Sequence, residues 1–291
     1  MKIFYHCDDM GSTPRITQRI LDACQSGLID SFSIMANGDG IDEMVAGLKE
    51  LQKRDIRIAV HLNLTEGKAL SPKERVPLLT NSKGSLKFGF SGLLLRWLCS
   101  SRSKKNRLIE QIEREWQAQF AKTKELCQPR KVSSVDSHLH IHMLPFLFPI
   151  AAQLARQNGI PNIRISREPF HLSSHLGDSL SLGFILNIIK HIILRILSRE
   201  VQKTLMKYGL KTSPFIVGVL YTGLMTKEAV RVGIASAYKK GADTVEVIFH
   251  IGRATKEEVG RWEGYPSIAA FSMRERRDKE FEELNRLRSE K

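Results

Sequence analysis

Short apolar runs alternate with longer amphipathic stretches along most of the chain. The short runs are rich in branched and aromatic residues, which predicts strands, whereas apolar residues at three- or four-residue steps predict helices. The predicted strands cover 2–9, 31–37, 56–64, 131–142, 162–166 and 244–252. The predicted helices cover 11–31, 41–54, 105–126, 148–159 and 227–241. This alternation predicts an α/β fold of parallel strands joined by crossover helices.

The start and end of the first predicted helix are encoded locally. Ser12 or Thr13 can cap its amino end. Pro14 suits the first turn, because proline lacks the N–H that would have no helical partner there. Gly27 is a suitable stop, since glycine enters the left-handed conformation without strain.

Three of the 9 histidines in the 291-residue chain stand at alternate positions in the stretch "SSVDSHLHIHMLP". Side chains of an extended strand alternate between its two faces. His138, His140 and His142 are therefore predicted to share one face with Asp136, while the intervening apolar residues occupy the other. This layout is typical of a polar site beside a packed core.

Acidic and histidine side chains also end two other predicted strands. Asp8 and Asp9 end the first strand, and His61 lies near the end of the third. Parallel strands present their carboxyl ends at one edge of a sheet, so these groups can meet the histidine run. One Asp and two His from three strand ends can bind a divalent ion and leave positions open to water. The second carboxylate of the Asp pair can take a proton from that water.

Six motifs follow one another in a fixed order along the chain. They are "DDMGST", "SIMANG", "VHLNLTEGKALS", "EREWQAQF", "VDSHLHIHMLP" and "VEVIFHIG". In this order the chain resembles the carbohydrate deacetylases of the YdjC type, which include chitooligosaccharide and hopanoid-associated deacetylases. The resemblance is strong over 3–165 and looser over 210–285, and "DDMG" and "DSHLHIH" are its most specific parts.

The resemblance implies a fold and a cofactor. The fold is an irregular (β/α) barrel of the glycoside hydrolase/deacetylase type, formed by residues 1–291 as a single domain. The cofactor is one divalent metal ion, zinc or magnesium, bound by Asp9, His61 and His138.

The resemblance also implies the groups that move protons. Asp8 takes the position of the catalytic base. His250 falls where the family usually has a His-Pro-Gly sequence and is the candidate general acid, although Ile251 replaces the proline here. A hydrogen-bonded histidine at a strand end is the alternative interpretation of His250.

The remaining polar residues of these motifs are candidates for contacts around the site. His140 and His142 can bind substrate or orient the metal ligands, as imidazoles around metal sites commonly do. Asn37 can bind substrate from the end of the second strand. Asp136 is expected to orient a ligand rather than to bind the metal.

An apolar segment at 179–203 falls outside the barrel pattern and predicts an amphipathic helical insertion around 170–210. Lys190 and Arg195 interrupt it short of the roughly 20 apolar residues that span a bilayer. Three placements stay open for 180–200: packing on the barrel, a homodimer interface, or peripheral contact with a membrane.

Composition and the first residues bear on the partners, the cysteine chemistry and the cellular compartment that we expect for the protein. The formal net charge of +14 is compatible with nucleic acid, acidic lipid or anionic substrates as partners. The 4 cysteines form no CxxC pair, which disfavours a disulfide framework and a cysteine zinc site. The opening "MKIFYHCDD" is not a signal peptide, so we expect a cytoplasmic protein, with the inner face of the membrane as a possible site of contact.

The predicted function is hydrolysis of the N-acetyl group of an amino sugar, on an oligosaccharide or a lipid-linked glycan, giving acetate and a free amine. One alternative is another metal-dependent hydrolase on the same barrel, such as one that cleaves a phosphoester. The other is a basic protein that binds membranes or nucleic acid without catalysis, which would need no Asp-His-His set. Nucleic acid is the least favoured partner.

Overall fold

Seven parallel strands form one curled sheet in the computed structural model of the protein, which describes residues 1–51, 54–173, 182–262 and 264–289. The strands are β1 (Lys2–Met10), β2 (Ser31–Ile34), β3 (Arg57–Leu62), β4 (Val132–Ser137), β5 (Asn162–Ile163), β6 (Phe215–Val217) and β7 (Thr244–Phe249). Their order across the sheet is β5-β4-β3-β2-β1-β7-β6. The chain therefore starts in the middle, builds outward to β5, and then adds β6 and β7 on the other side of β1.

Helices surround this sheet and connect its strands. Within the described ranges they are α1 (Pro14–Gln25), α2 (Ile41–Glu50), α3 (Phe90–Leu98), α4 (Arg102–Cys127), α5 (Phe148–Gln157), α6 (Leu182–Glu200), α7 (Gln202–Lys207), α8 (Lys227–Lys239), α9 (Pro266–Ser272) and α10 (Arg276–Ser289). Every strand and helix predicted from apolar periodicity has a counterpart, whereas β6 and the helices α3, α9 and α10 were not predicted.

The two edges of the sheet approach each other through irregular backbone contacts. Ile163 N donates to Lys211 O at 2.9 Å, and Ile216 N donates to Arg167 O at 2.9 Å. These bonds link the region of β5 to that of β6, so the sheet curls into a half-barrel rather than lying open. The predicted irregular (β/α) barrel is confirmed, and the single-domain division stays a prediction.

The signals around the first helix act as the sequence indicates. Thr13 is the N-cap of α1, and its hydroxyl accepts from Ile16 N at 3.4 Å. Pro14 occupies the first helical position. Gly27, with φ 72°, carries the chain away from the helix end.

Strand alternation gives the barrel a polar interior. On β1, buried His6 and Asp8 alternate with Tyr5 and Cys7, which belong to the apolar core. Polar side chains of neighbouring strands hydrogen-bond to one another across the inner face: His6 to Ser31 and Ser33, Ser33 to His61, and His61 to Asp136. Buried polar groups are stable only when hydrogen-bonded, and this layer satisfies that condition by pairing across strands.

The prediction that Asp136 and the three histidines share one strand face is wrong. Strand β4 ends at Ser137, and His138–Met143 forms a short 3₁₀ segment in which Leu139 and His140 have φ of 53° and 54°. Ser137 Oγ accepts from His142 N at 3.0 Å, which stabilises this turn. The turn sends the three imidazoles to different partners, because the strand period of two no longer applies.

The predicted helical insertion is described in part, since 174–181 lies outside the described residues. The rest forms α6 and α7. The buried side chains of helix α6 are Phe184, His191, Leu194 and Ser198. No helix within the described residues is long and apolar enough to cross a membrane.

Candidate metal centre and active site

Three side chains predicted as metal ligands converge at the carboxyl edge of the sheet. Asp9 lies near the end of β1, His61 on β3, and His138 directly after β4. One ligand atom from each lies within 4.8 Å of the other two, and all three residues are buried. Asp9 Oδ1 is 3.1 Å from His138 Nδ1 and 3.4 Å from His61 Nε2.

A local irregularity in β1 positions the two adjacent aspartates. In a regular strand Asp8 and Asp9 would point to opposite faces. The pairing of β1 with β2 shifts register between Cys7 and Met10, and Asp9 has φ 69°. Bulges of this kind re-aim side chains, and backbone strain of about 1–3 kcal/mol persists where the surroundings enforce it. Both carboxylates consequently serve the polar interior.

The ligand atoms match what a divalent cation requires. His61 Nδ1 lies 2.6 Å from Asp136 Oδ1, so that His61 can donate from Nδ1 and present Nε2. Nε2 of His61 and Nε2 of His138 are buried, and neither has a hydrogen-bond partner in the structure. Two imidazole nitrogens and a carboxylate oxygen suit zinc and related ions. The group can therefore hold a divalent ion, and the contact with Asp136 orients the His61 ring.

Charges around His61 oppose the effect of its burial. Burial alone would lower the pKa of His61, but the carboxylates of Asp136, Asp9 and Asp8 together outweigh it and raise that pKa to about 10. Burial likewise would raise the pKa of Asp9, yet the imidazoles of His138 and His61 hold it well below its usual range. Without a cation, His61 thus keeps a proton that a bound ion would displace.

Asp8 sits beside this group within a network of charged side chains. Its carboxylate oxygens lie 3.0 and 3.2 Å from Arg164 Nη1, and Oδ1 lies 3.2 Å from His6 Nε2. Burial would raise the pKa of Asp8, but Arg164 and His6 hold it well below its usual range. Asp8 is therefore ionised at neutral pH and able to accept a proton.

A second set of possible ligands, His6, Asp8 and Asp136, also has atoms within 4.8 Å of one another. Arg164 lies among them, with Nη2 at 2.9 Å from Asp136 Oδ2 and at 2.7 Å from Glu246 Oε1. A guanidinium that already neutralises these carboxylates repels a further cation. The group of Asp9, His61 and His138 is the better metal site for this reason.

His250 lies on the far side of Asp8, at the end of β7. Its Nε2 is 3.9 Å from Asp8 Oδ2, and its backbone N–H donates to Glu280 Oε2 at 2.9 Å. Burial lowers the pKa of His250 to about 4, so the ring is neutral at pH 7. Ile251, which replaces the family proline, is fully buried in the apolar core.

The predicted substrate contacts occupy different surroundings. His142 has both ring nitrogens within hydrogen-bond distance of protein atoms, Nδ1 at 2.5 Å from Ser137 Oγ and Nε2 at 2.8 Å from the Arg164 carbonyl. His140 Nδ1 lies 2.8 Å from Ser166 Oγ. Asn37 donates to the carbonyls of Glu66 and Lys68 at 2.8 and 2.9 Å. These bonds orient the side chains, and their contact with substrate stays a prediction.

Several site residues were missed by sequence reasoning. Arg164 is the central cation of the interior, and a charged residue within the apolar strand sequence "NIRIS" was its only signal. Arg277 of α10 brings Nη2 to 3.7 Å from Asp9 Oδ2, and Glu66 brings Oε2 to 3.7 Å from His138 Nε2. Arg277 arrives from a helix distant in sequence, whereas Glu66 lies in the motif "VHLNLTEGKALS" five residues after His61, where it could have been singled out.

Lys190 of α6 is a further polar group near this end of the barrel. Its Nζ donates to Thr222 Oγ1 at 2.8 Å. Burial lowers the pKa of Lys190 to about 8, while Glu168 and Asp8 act in the opposite direction. The inner side of α6 therefore contributes to the electrostatics of the site.

A model of the family described as YdjC-like protein matches residues 2–290 of the chain. The chain belongs to the YdjC-like family. A crystal structure from Enterococcus faecalis, of a protein named as a candidate for cellobiose-phosphate cleavage, is similar with a TM-score of 0.62 and 20% sequence identity. That similarity covers 97% of this chain and 94% of the other, and it shows a shared fold.

Membership of the YdjC-like family and the buried Asp-His-His group both bear on whether the protein is an enzyme. The family supports a carbohydrate-modifying hydrolase. The group of Asp9, His61 and His138 is compatible with a metal ion in its active site. Both features count against a protein whose only role is to bind polyanions.

Proposed function

We propose that the protein is a metal-dependent deacetylase that removes the N-acetyl group from an amino sugar and releases acetate and a free amine. The observation that supports this most is the convergence of Asp9, His61 and His138, within 4.8 Å of one another, beside an ionised carboxylate. The sugar is an oligosaccharide or a lipid-linked glycan.

Asp9, His61 and His138 would hold one divalent ion, zinc or magnesium. Two imidazoles in three ligands favour zinc over the harder magnesium ion. When bound, the ion polarises the amide carbonyl and lowers the pKa of a nearby water molecule. The buried position of all three ligands excludes bulk water from these electrostatic interactions.

Asp8 and His250 share the proton transfers. Asp8 accepts a proton from the attacking water, whose oxygen bonds to the carbonyl carbon. The C–N bond then breaks, and His250 delivers a proton to the departing amine nitrogen. His250 Nε2 lies 3.9 Å from Asp8 Oδ2, so one bridging water molecule would pass the proton taken up by Asp8 to His250. Asn37, His140 and His142 orient the sugar or the groups around it.

The test is acetate release by the metal-loaded protein from N-acetylglucosamine substrates of both kinds, soluble oligomers and lipid-linked glycans. We expect wild type to release acetate, and Asp8→Asn and His138→Ala to lose the activity. Asp243→Asn removes an exposed carboxylate away from the site and serves as the matched control. Activity that survives both site variants, or no release by wild type with metal bound, would contradict the proposal; release of phosphate from a phosphoester substrate would favour a different hydrolase.

A further inference from the structure

Helix α6 buries Phe184 and Leu194 in the core, yet it leaves a further row of large apolar residues exposed. Its solvent-facing side carries large apolar residues that are between 40% and 73% exposed. They are Leu182, Ile185, Leu186, Ile189, Ile192, Ile193 and Ile196. A helix in a globular protein normally buries such a stripe, because each apolar side chain left in water forgoes its transfer free energy.

Polar contacts on the inner side fix this orientation. Asn187 Nδ2 donates to the Thr222 carbonyl at 3.0 Å, and Lys190 Nζ donates to Thr222 Oγ1 at 2.8 Å. His191 Nε2 lies 3.0 Å from the Glu168 carbonyl. The helix cannot rotate its apolar side inward without breaking these bonds, so the exposed face belongs to the native fold.

The exposed apolar residues of neighbouring segments extend this face. Helices α3 and α6 both pack against the 138–143 segment, in which Leu139 is exposed. Phe170, also exposed, lies beside His191 with ring centroids 5.9 Å apart. We call this surface the apolar rim: the exposed residues of α6 together with Leu95, Leu98, Leu139 and Phe170. Most exposed large apolar side chains in the described part of the chain lie on it.

Positive charge surrounds the apolar rim. The exposed basic residues that follow on α6, on α7 and just beyond are Arg195, Arg199, Lys203, Lys207 and Lys211, against one acid, Glu200. Around α3 they are Arg96, Arg102, Lys104 and Arg107, with no acid between 90 and 107. Two copies of such a face would repel each other, whereas anionic lipid headgroups complement it.

We propose that the apolar rim docks on a bilayer that contains anionic lipid, with α6 lying in the plane of the interface. An interfacial helix of this kind buries its apolar face at the boundary of headgroups and acyl chains, and basic residues add electrostatic attraction. The 138–143 segment, which carries His138, packs directly behind α6. Docking therefore holds the metal centre against the membrane surface, whatever reaction it performs.

Vesicle flotation tests this proposal independently of catalysis. Wild type is mixed with vesicles of phosphatidylcholine alone, or with about 30 mol% phosphatidylglycerol. We expect it to float with the anionic vesicles, and the triple variant Ile189→Ser, Ile192→Ser, Ile196→Ser to bind them at least about 100-fold more weakly. Tyr238→Ser, which removes an exposed apolar side chain outside the apolar rim, should float like wild type.

The remaining outcomes are equally decisive. Far-UV circular dichroism and the urea midpoint should match wild type in the triple variant, because the replaced side chains contact solvent. Acetate release from soluble oligomers should also be unchanged, and it reports on the proposed function separately from docking. Wild type that does not bind anionic vesicles, or a triple variant that binds them as well as wild type does, would overturn the proposal. A wild-type dimer that the triple variant converts to monomer, without vesicle binding by either, would identify the apolar rim as an interface between two copies.

Discussion

Replacing Arg164 by methionine should destabilise the protein more than any other single change to the polar interior. Arg164 is 3% exposed and contacts three carboxylates, those of Asp8, Asp136 and Glu246. Methionine fills much of the same volume but leaves those charges without their cation. Removing one partner of a buried ion pair costs about 3–5 kcal/mol. We expect Arg164→Met to lower the free energy of unfolding by this amount at pH 7.5.

The loss should depend on pH in a defined direction. Arg164 holds the pKa of Asp8 and the pKa of Asp136 below their usual values against the effect of burial. Without Arg164, only His6 and His61 oppose burial and the repulsion between the two carboxylates, and we expect both pKa values to rise above those of the unfolded chain. A carboxyl with a raised folded pKa loses stability as the pH rises through that value, so the deficit of Arg164→Met should shrink between pH 7.5 and pH 5.

Urea unfolding followed by circular dichroism measures both effects. Arg164→Lys keeps the charge and should lose less stability than Arg164→Met. Arg167→Met removes an exposed guanidinium that stacks on Phe215 at 4.6 Å, and we expect it to cost under about 1 kcal/mol. An Arg164→Met protein within about 1 kcal/mol of wild type at pH 7.5, or a deficit that is the same at both pH values, would refute this account of the interior.

Three further predictions follow from the same geometry. Because the pKa of His61 is raised to about 10, a bound cation must displace a proton from His61. The affinity for zinc, measured by calorimetry, should therefore increase about tenfold per pH unit between pH 6 and pH 8. An affinity independent of pH would speak against His61 as a ligand. Burial lowers the pKa of His142 to about 4, so the unfolded chain binds more protons between its ordinary value of 6.5 and pH 4. The stability advantage of wild type over His142→Asn should therefore fall by up to about 3 kcal/mol as the pH drops from 7 to 4 in urea titrations, and a constant difference would contradict it. Asp9 has φ 69°, a left-handed conformation that glycine adopts with less strain than alanine. Asp9→Gly should therefore be about 1 kcal/mol more stable than Asp9→Ala in thermal unfolding, while both variants lose metal binding. Equal stability of the two variants would show that the strain at this position is small.

The sequence by itself determined the order of the strands and helices that apolar periodicity marks, but not β6, α3, α9 or α10, and it indicated the edge of the sheet where the candidate site lies. Apolar periodicity is a local property, so it marked each strand and helix named from it. Asp8, Asp9 and His61 could be assigned to one edge because parallel strands share their carboxyl ends, and the structure brings Asp9 and His61 together with His138. The start of α1 was equally predictable, since Thr13 and Pro14 act within one helical turn.

Only the tertiary structure decided which backbone turn, which charged side chains and which helix orientation form the site and its surroundings. The turn at 138–143 depends on a hydrogen bond from His142 to the Arg164 carbonyl, which local sequence does not reveal. Arg164 and Arg277 reach the site from separate parts of the chain, and neither follows a periodic pattern. The same holds for α6: bonds from Asn187 to Thr222 and from His191 to Glu168 fix which side of the helix packs inward and which apolar residues stay exposed. Contacts between distant residues, rather than the preferences of neighbours, set these features.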